Sequence, residues 1–306
     1  MRAAYIDAKG GPDQVKVGEM PEPVPGPGEV RLRVQAAGVG PWDVKIVAGM
    51  FGEIKLPYTV GFEFAGIVDQ LGEGVTGVEL GEPVYGTDWH AGSMAEYRVA
   101  AIGTMATQPA KFTAEESVAL AVAGCTSLEG IVERLRVQPG ETVLITAAAG
   151  GVGTIAVQVA KDAGARVFAV AGKDNHDYVL ALGAEAAFDY HDAGWTEQVR
   201  KLVPSGVDAL FDCAGGDTLR AAFDAVKDGG RVVGIVYGGP DAGPRGISFE
   251  RFSAASGRER LATLAKMADE GRLRVELEAE LPLDQAREAI ERVAGGHTRG
   301  KVVVKL

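Results

Sequence analysis

The sequence reads as an α/β protein in two parts, a β-rich part and a doubly wound parallel sheet, on three observations. Its 306 residues suit two domains at roughly 150 residues each. Buried-strand patterns begin at residues 142, 166, 186, 207 and 231 with helical patterns between them. So tight an alternation demands parallel strands, right-handed crossovers and helices on both faces. Before about residue 113 the texture differs, with short strands, Pro/Gly turns and no long helix.

The elements follow in order. Five of the 14 prolines fall between Pro12 and Pro27, and Pro21–Gly28 is an extended surface connection. Val30, Leu32 and Val34 then alternate with Arg31, Arg33 and Gln35, the period of a half-buried strand. Phe64–Val68, Pro83–Tyr85 and Tyr97–Ala100 are further strands between Gly-rich turns. The parallel strands are expected at Thr142–Thr146, Val167–Val170, Ala187–Tyr190, Asp208–Phe211 and Val232–Val236, with a candidate sixth at Ile247–Phe252. The tail predicts a helix over Arg258–Glu270, a strand over Leu273–Leu277, a helix over Asp284–Val293 and a strand over Lys301–Lys305. With the parallel sheet already supplied, the tail is expected to pack back on the β-rich part.

Composition excludes several classes of function. The 31 Lys and Arg against 42 Asp and Glu give a net charge of −11, and no basic patch offsets it, so nucleic acid and anionic membrane are poor partners. Two cysteines, Cys125 and Cys213, cannot staple a secreted scaffold. Four histidines, His90, His176, His191 and His297, never share metal-ligand spacing. Asp7 interrupts the apolar centre that a signal peptide needs. Thr142–Ala160 runs 19 residues without a charge, but its central glycines and early β-branched residues suit a buried strand turning into a helix better than a membrane span. These readings predict a soluble, cytoplasmic protein.

The glycine excess, 43 residues against a usual share of about 7%, is partly explained by one segment. Val143-Leu-Ile-Thr-Ala-Ala-Ala-Gly150-Gly151-Val152-Gly153 runs from strand to turn to helix. Glycines there permit a tight turn and close approach to a pyrophosphate, and the helix start offers unpaired N–H groups. Ala148 stands at the first position of the usual G-x-G-x-x-G pattern, so the context, a buried strand before and a long helix after, carries the match. The other reading is a turn serving helix–sheet packing alone. Ala149, Gly150, Gly151 and Val152 are the candidate diphosphate residues.

The end of the second strand bears on the choice of dinucleotide. An acid about 20 residues after the motif would hold the ribose 2′-hydroxyl of NAD, but the chain reads Val170-Ala171-Gly172-Lys173-Asp174. Gly172 is neutral and Lys173 can pair with a 2′-phosphate, with Tyr190 adding a hydroxyl from the third strand end. NADPH is favoured. A solvated Lys173, or an inward Asp174 serving NAD, remain open.

Pro27-Gly28-Glu29-Val30, Ala37-Gly38-Val39, Gly61-Phe62-Glu63-Phe64-Ala65-Gly66, Gly92-Ser93-Met94-Ala95-Glu96-Tyr97, the Gly150-Gly151-Val152-Gly153 turn and Arg299-Gly300-Lys301-Val302-Val303 occur in this order. In that ordered set the chain resembles the medium-chain dehydrogenase/reductase superfamily, in its zinc-independent quinone oxidoreductase branch, over nearly its whole length. The resemblance implies a GroES-like catalytic domain at 1–112, completed by 256–306, around a Rossmann domain at 113–255. It also implies an active site in the cleft between them and a homodimer paired through an edge strand.

Further implications concern the metal and the reaction. Zinc-dependent relatives carry Cys at the position of Gly40 and His at that of Phe62, and they have a four-cysteine lobe that this chain lacks; glycine and phenylalanine cannot ligate zinc. The zinc-free members pass hydride from NADPH to a quinone or to the β-carbon of an α,β-unsaturated carbonyl compound. The latter needs a donor at the carbonyl oxygen and a proton for the α-carbon. Many such reductases have Asn at the position of Gly40 and Tyr near Lys45, where this chain has Gly40-Pro41-Trp42-Asp43-Val44-Lys45. Lys45, Tyr58 and His90 are therefore the catalytic candidates, and Gly40, Trp42 and Phe62 line the substrate pocket. Each also has a bland reading, as surface charge, packing or loop residue, and the proton can come from water.

By position, Thr126 resembles the family's hydroxyl near the nicotinamide, although it can equally cap a helix. Val236, Tyr237 and Gly238 border the nicotinamide at the fifth strand end, and Asp212 and Cys213 line the same crevice. Asp43 and Glu63 are read as structural ion-pair partners, and Cys125 as a small buried hydrophobe. Two other functions stay open. One is a trans-acting enoyl-thioester reductase of a biosynthetic pathway. The other is a non-catalytic NADP(H)-binding sensor.

Overall fold

The computed structural model describes residues 1–89, 92–237, 242–254 and 256–306. It divides into two compact units, one of residues 1–122 with 256–306 and one of residues 123–255. The helix Ala114–Leu128 carries the chain across that division.

In the first unit a long strand, Glu29–Val39, is the spine. Its second half pairs with Lys301–Lys305 and its first half with Tyr97–Ala101, while Glu63–Leu71 runs along its other side. Pro83–Thr87 and Met105–Thr107 extend the sheet beyond Glu63–Leu71, and Leu277–Pro282 closes it beyond Lys301–Lys305. A smaller sheet joins Lys16–Glu19, Arg2–Ile6 and Tyr58–Thr59. The alternation at Val30, Leu32 and Val34 is realised as burial: all three are inside. Val30 and Leu32 pack with Phe64, Val68 and Val84. The tail is part of this unit, with Ala286, Ala289 and Ile290 of the helix Ala286–Ala294 set against Val302 and Val304.

One tail strand lies later than the sequence suggests. Leu273, Val275 and Leu277 alternate as a strand would, yet the ladder runs over Leu277–Pro282. The reason is register: Leu277 is the first residue paired with a partner, Lys301. Before it, the Glu276 carbonyl accepts the Lys301 amide at 2.9 Å, and the ladder's register begins only at Leu277.

The second unit is a parallel sheet in the order Ala186–Phe188, Arg166–Val170, Thr142–Ile145, Val207–Asp212, Val226–Gly234, Ser248–Arg251. In sequence order this is 3-2-1-4-5-6, the doubly wound arrangement whose strand order reverses beside the first strand. Two strand ends depart from expectation. The third strand stops at Phe188, two residues before Tyr190, and the fifth stops at Gly234, two before Val236. Among the described residues no helix is long and apolar enough to cross a membrane.

Candidate functional site

The nucleotide candidate sits at the carboxyl end of Thr142–Ile145. The chain bends at Ala147, whose φ is +47°, a left-handed conformation uncommon for a residue with a Cβ. The bend is fixed by the Gly150 amide donating to the Ala147 carbonyl at 3.0 Å and the Ala148 amide to that of Val170 at 3.0 Å. Gly150 caps the helix Gly151–Asp162 in extended geometry. Gly153 is required by sterics: a Cβ there would run into the Ala147 carbonyl oxygen and lie 2.7 Å from Ala148 Cα. Gly151, Val152 and Gly153 open the helix, so their amides have no carbonyl one turn earlier, and the first turn holds no acidic side chain. Such an end attracts a diphosphate through its N–H groups and its dipole.

The fourth strand end is tied to this bend. Thr146 Oγ1 donates to Asp212 at 2.6 Å and accepts the Cys213 amide at 3.0 Å, while the Gly215 amide donates to the other Asp212 oxygen at 2.9 Å. Asp212, expected to line the crevice, is instead a brace whose two oxygens are engaged. Burial raises its pKa against these hydrogen bonds. Burial, helped by Asp212, pushes the Cys213 thiol well up, away from the thiolate form that makes a cysteine reactive.

At the second strand end, Gly172 precedes a short turn, Lys173–Asn175. Lys173 and Asp174 are both exposed, and neither enters an ion pair among the described residues. Tyr190 is 36% exposed, and its ring edge lies 3.8 Å from where a Cβ on Gly172 would be. The shorter strand thus places Tyr190 in the loop beside Gly172 rather than in the sheet. The His191 ring lies equally close, at 3.9 Å.

The structure places three of the four nicotinamide candidates and changes one alternative reading. Thr126 is buried inside the helix Ala114–Leu128, so it caps nothing. Val236 and Tyr237 lie beyond the strand. Val236 packs on Gly215, whose φ of +70° and lack of a side chain admit it, and Tyr237 is 64% exposed. Gly238 lies outside the described residues, as does His90.

In the first unit Gly40 starts the helix Pro41–Val47, and its amide donates to the Asp43 carboxylate at 2.8 Å. Burial pushes Asp43 up to about 7, against the Gly40 amide and with help from Glu63. Glu63 forms an ion pair with Lys301, whose ammonium also donates to the Val39 carbonyl at 3.2 Å. Glu63 is therefore an ion-pair partner, as expected, whereas Asp43 is held mainly by an amide. Around these groups lies an aromatic set. Trp42 has its ring centroid 5.1 Å from Phe51 and 5.5 Å from Trp89, and Phe62 lies 4.4 Å from Trp89. The Lys45 ammonium sits over the Trp42 ring at 4.7 Å. Tyr58 is elsewhere in the unit. It packs on the core around Ile6, Val47 and Val60 and lines a recess of about 240 Å³ with Pro57 and Tyr97.

Trp42, Lys45 and Phe62 are thus joined through Trp89, Gly40 faces Glu63 and Lys301 instead, and Tyr58 is not in ring contact with the aromatic set. Sequence reasoning missed Phe51, Trp89 and His191. Two signals were present: Trp89 stands beside His90, and His191 directly follows Tyr190.

Residues 26–119 match the alcohol dehydrogenase GroES-like domain and residues 182–304 the zinc-binding dehydrogenase family. The chain is 31% identical over 322 residues to a chloroplast envelope quinone oxidoreductase homolog of Arabidopsis thaliana, covering 98% of this chain and 97% of that one. Among solved structures, the quinone oxidoreductase of Coxiella burnetii superposes with a TM-score of 0.89 at 30% identity, covering 100% and 99% of the two chains. An NAD-dependent alcohol dehydrogenase superposes with a TM-score of 0.94, also at 30% identity and with 100% of both chains covered.

Proposed function

The chain belongs to the medium-chain dehydrogenase/reductase superfamily, in its quinone oxidoreductase branch, and is a nicotinamide-dependent oxidoreductase; on that premise we propose that it uses NADPH to reduce a quinone or an α,β-unsaturated carbonyl compound without zinc. The observation that carries the reading is the second strand end, where Gly172 stands in place of a ribose-binding acid beside an exposed Lys173 that has no ion-pair partner among the described residues.

When bound, the reduced coenzyme supplies a hydride. The chain's own residues supply the rest. Ala149, Gly150, Gly151 and Val152 hold the diphosphate through main-chain amides and the helix dipole. Gly172, Lys173 and Tyr190 hold the adenosine end, and Thr126, Cys213, Val236 and Tyr237 are the proposed neighbours of the nicotinamide. Trp42 and Phe62 offer flat apolar faces that suit a planar acceptor, and Gly40, whose missing side chain leaves space beside Glu63 and Lys301, is the third proposed pocket residue. Lys45 is the proposed donor to the carbonyl oxygen on which charge develops, because it shares the aromatic set. Tyr58 is the second candidate.

Zinc does not fit the donor set. Gly40 and Phe62 offer no ligating atom, Asp43 accepts the Gly40 amide, and Glu63 is committed to Lys301. The strand Ser248–Arg251 ends the parallel sheet with one side unpaired among the described residues, which supports a homodimer formed across that edge. Stopped-flow recording of nicotinamide absorbance with a naphthoquinone panel and an enone panel tests the function. NADPH oxidation by at least one panel is expected; tight NADPH binding with no consumption by either overturns the catalytic reading.

A further inference from the structure

We propose that His191 reads the group on the 2′ position of the coenzyme's adenosine ribose, donating to a phosphate when its imidazole is charged and accepting from a hydroxyl when it is neutral. The inference rests on the coenzyme site described above and adds to it a residue whose preference changes with protonation.

The geometry begins at Gly172. In a doubly wound sheet the adenosine ribose lies at the end of the second strand, and that end is Val170-Ala171-Gly172. With no side chain at Gly172, the space a Cβ would fill is bounded by two ring edges, Tyr190 Cε1 at 3.8 Å and His191 Cε1 at 3.9 Å. The two rings lie 4.0 Å apart at 33°, so Tyr190 supports one face of the imidazole. The His191 side chain is 66% exposed, hence reachable by a ligand.

Asp189 fixes which His191 nitrogen is left for a ligand. Its Oδ1 accepts the His191 main-chain amide at 3.0 Å and lies 2.8 Å from Nδ1. The His191 amide is also the chief reason the Asp189 carboxyl titrates below its ordinary range, so Asp189 is a carboxylate and only accepts. Nδ1 must then carry a hydrogen, which leaves Nε2 as the variable nitrogen. Cε1 is the His191 ring atom that comes within 3.9 Å of the Gly172 Cβ position, and Nε2, bonded to it, is the nitrogen that Asp189 leaves open.

The other charged groups around the ring divide cleanly. Lys173 and Asp174 come from the exposed turn after Gly172. His176 faces the same loop, with its Nε2 3.1 Å from the Ala171 carbonyl. Asp192 is occupied by the Gly194 amide and by Gln198. Lys173 therefore offers an ammonium to a 2′-phosphate, and His191 offers a second donor at Nε2 only in its imidazolium form. A 2′-phosphate gains its second negative charge near about pH 6, and that change in the free ligand is the same whichever variant is titrated. Comparing variants cancels it.

Binding of NADPH, NADH, 2′,5′-ADP and 5′-AMP, measured by calorimetry at about pH 6 and about pH 8 on the wild type and His191→Gln, tests the inference without turnover. Loss of a charge-assisted bond at an exposed site is expected to weaken NADPH and 2′,5′-ADP by roughly tenfold at the lower pH and by less than about threefold at the higher. NADH and 5′-AMP should change by less than about twofold at the lower pH. In the unsubstituted protein, the His191 Cε1 proton resonance should move on addition of 2′,5′-ADP and much less with 5′-AMP. Unchanged NADPH affinity in the variant at both pH values, or an unmoved resonance, overturns the role of His191 while the NADPH preference stands. A wild type that binds NADH as tightly as NADPH at both pH values overturns the coenzyme reading and the inference together.

Discussion

The Phe62 ring packs 4.4 Å from that of Trp89, tilted at 46°, so the position that is histidine in zinc-dependent relatives is the floor of an aromatic set. A ring carbon skeleton cannot donate to zinc, and Gly40 has no side chain at all. Purified protein is therefore expected to contain no stoichiometric zinc, and chelation should leave turnover intact. Elemental analysis finding about one zinc per chain, with activity lost on its removal, would contradict this.

The same rings predict a substrate effect. Trp42 touches both Phe51 and Trp89 and carries the Lys45 ammonium on its face. Trp42→Ala removes the central ring, and the loss of stacking and burial on a planar acceptor is worth roughly 1–2 kcal/mol, or about a tenfold rise in KM for a naphthoquinone. The NADPH dissociation constant should not move. A selective loss for quinones over small enones marks the rings as the acceptor's wall, and equal KM values in variant and wild type reject that role.

Asp43 makes stability depend on pH. Burial raises its pKa to about 7 in the fold, above the roughly 4 of an exposed aspartate. The neutral form is therefore favoured in the native state. Its contribution is complete below about pH 4 and is lost as pH rises toward about 7, at up to about 1.4 kcal/mol per pH unit. Asp43→Asn keeps an oxygen for the Gly40 amide and cannot ionise. Denaturant titrations should find the variant no more stable than wild type at about pH 5 but more stable, by a few kcal/mol at most, at about pH 8. A wild-type stability that does not differ from the variant's at the higher pH removes Asp43 from this role.

How far the sequence was legible follows from how local each feature is. The strand, glycine turn and helix at residues 142–162 form one continuous segment, and their hydrophobic periods and glycines can be read directly. The proximity of Phe62 to Trp89 cannot, because it depends on the antiparallel register that sets Glu63 against Thr87 and on the Asp88 amide donating to the Phe62 carbonyl at 3.1 Å. His191 meets Gly172 for a similar reason: the second and third strands pair in parallel, Val170 beside Phe188, and the loop past Phe188 then falls next to Gly172. The misplaced tail strand has the same cause, since alternation marks a face but not where a ladder begins.

Lys173 has no ion-pair partner among the described residues and stands beside Gly172. If it holds a 2′-phosphate, Lys173→Glu replaces an attraction with a repulsion at the same point. Even with solvent screening the expected loss for NADPH is about tenfold or more, while NADH changes little or improves. Fluorescence titration of both coenzymes decides the matter, because an unchanged ratio places the ammonium away from the phosphate.

The bend at Ala147 and the glycine at 153 make a linked pair of predictions. Ala147 holds a φ of +47° at a cost of about 1 kcal/mol, and its carbonyl lies directly where a Cβ on Gly153 would be. Ala147→Gly relieves the strain but gives the unfolded chain more freedom, so thermal stability should change by less than about 1 kcal/mol. Gly153→Ala cannot be accommodated without moving the helix start off the strand end, an overpacking cost of about 1–3 kcal/mol. That movement carries the amides of Gly151 and Val152 with it, so NADPH affinity should fall alongside stability in Gly153→Ala and stay near wild type in Ala147→Gly. Calorimetric melts with and without NADPH measure both quantities at once. A Gly153→Ala protein that melts as wild type does and still gains the full stabilisation from NADPH shows that this helix start does not hold the diphosphate.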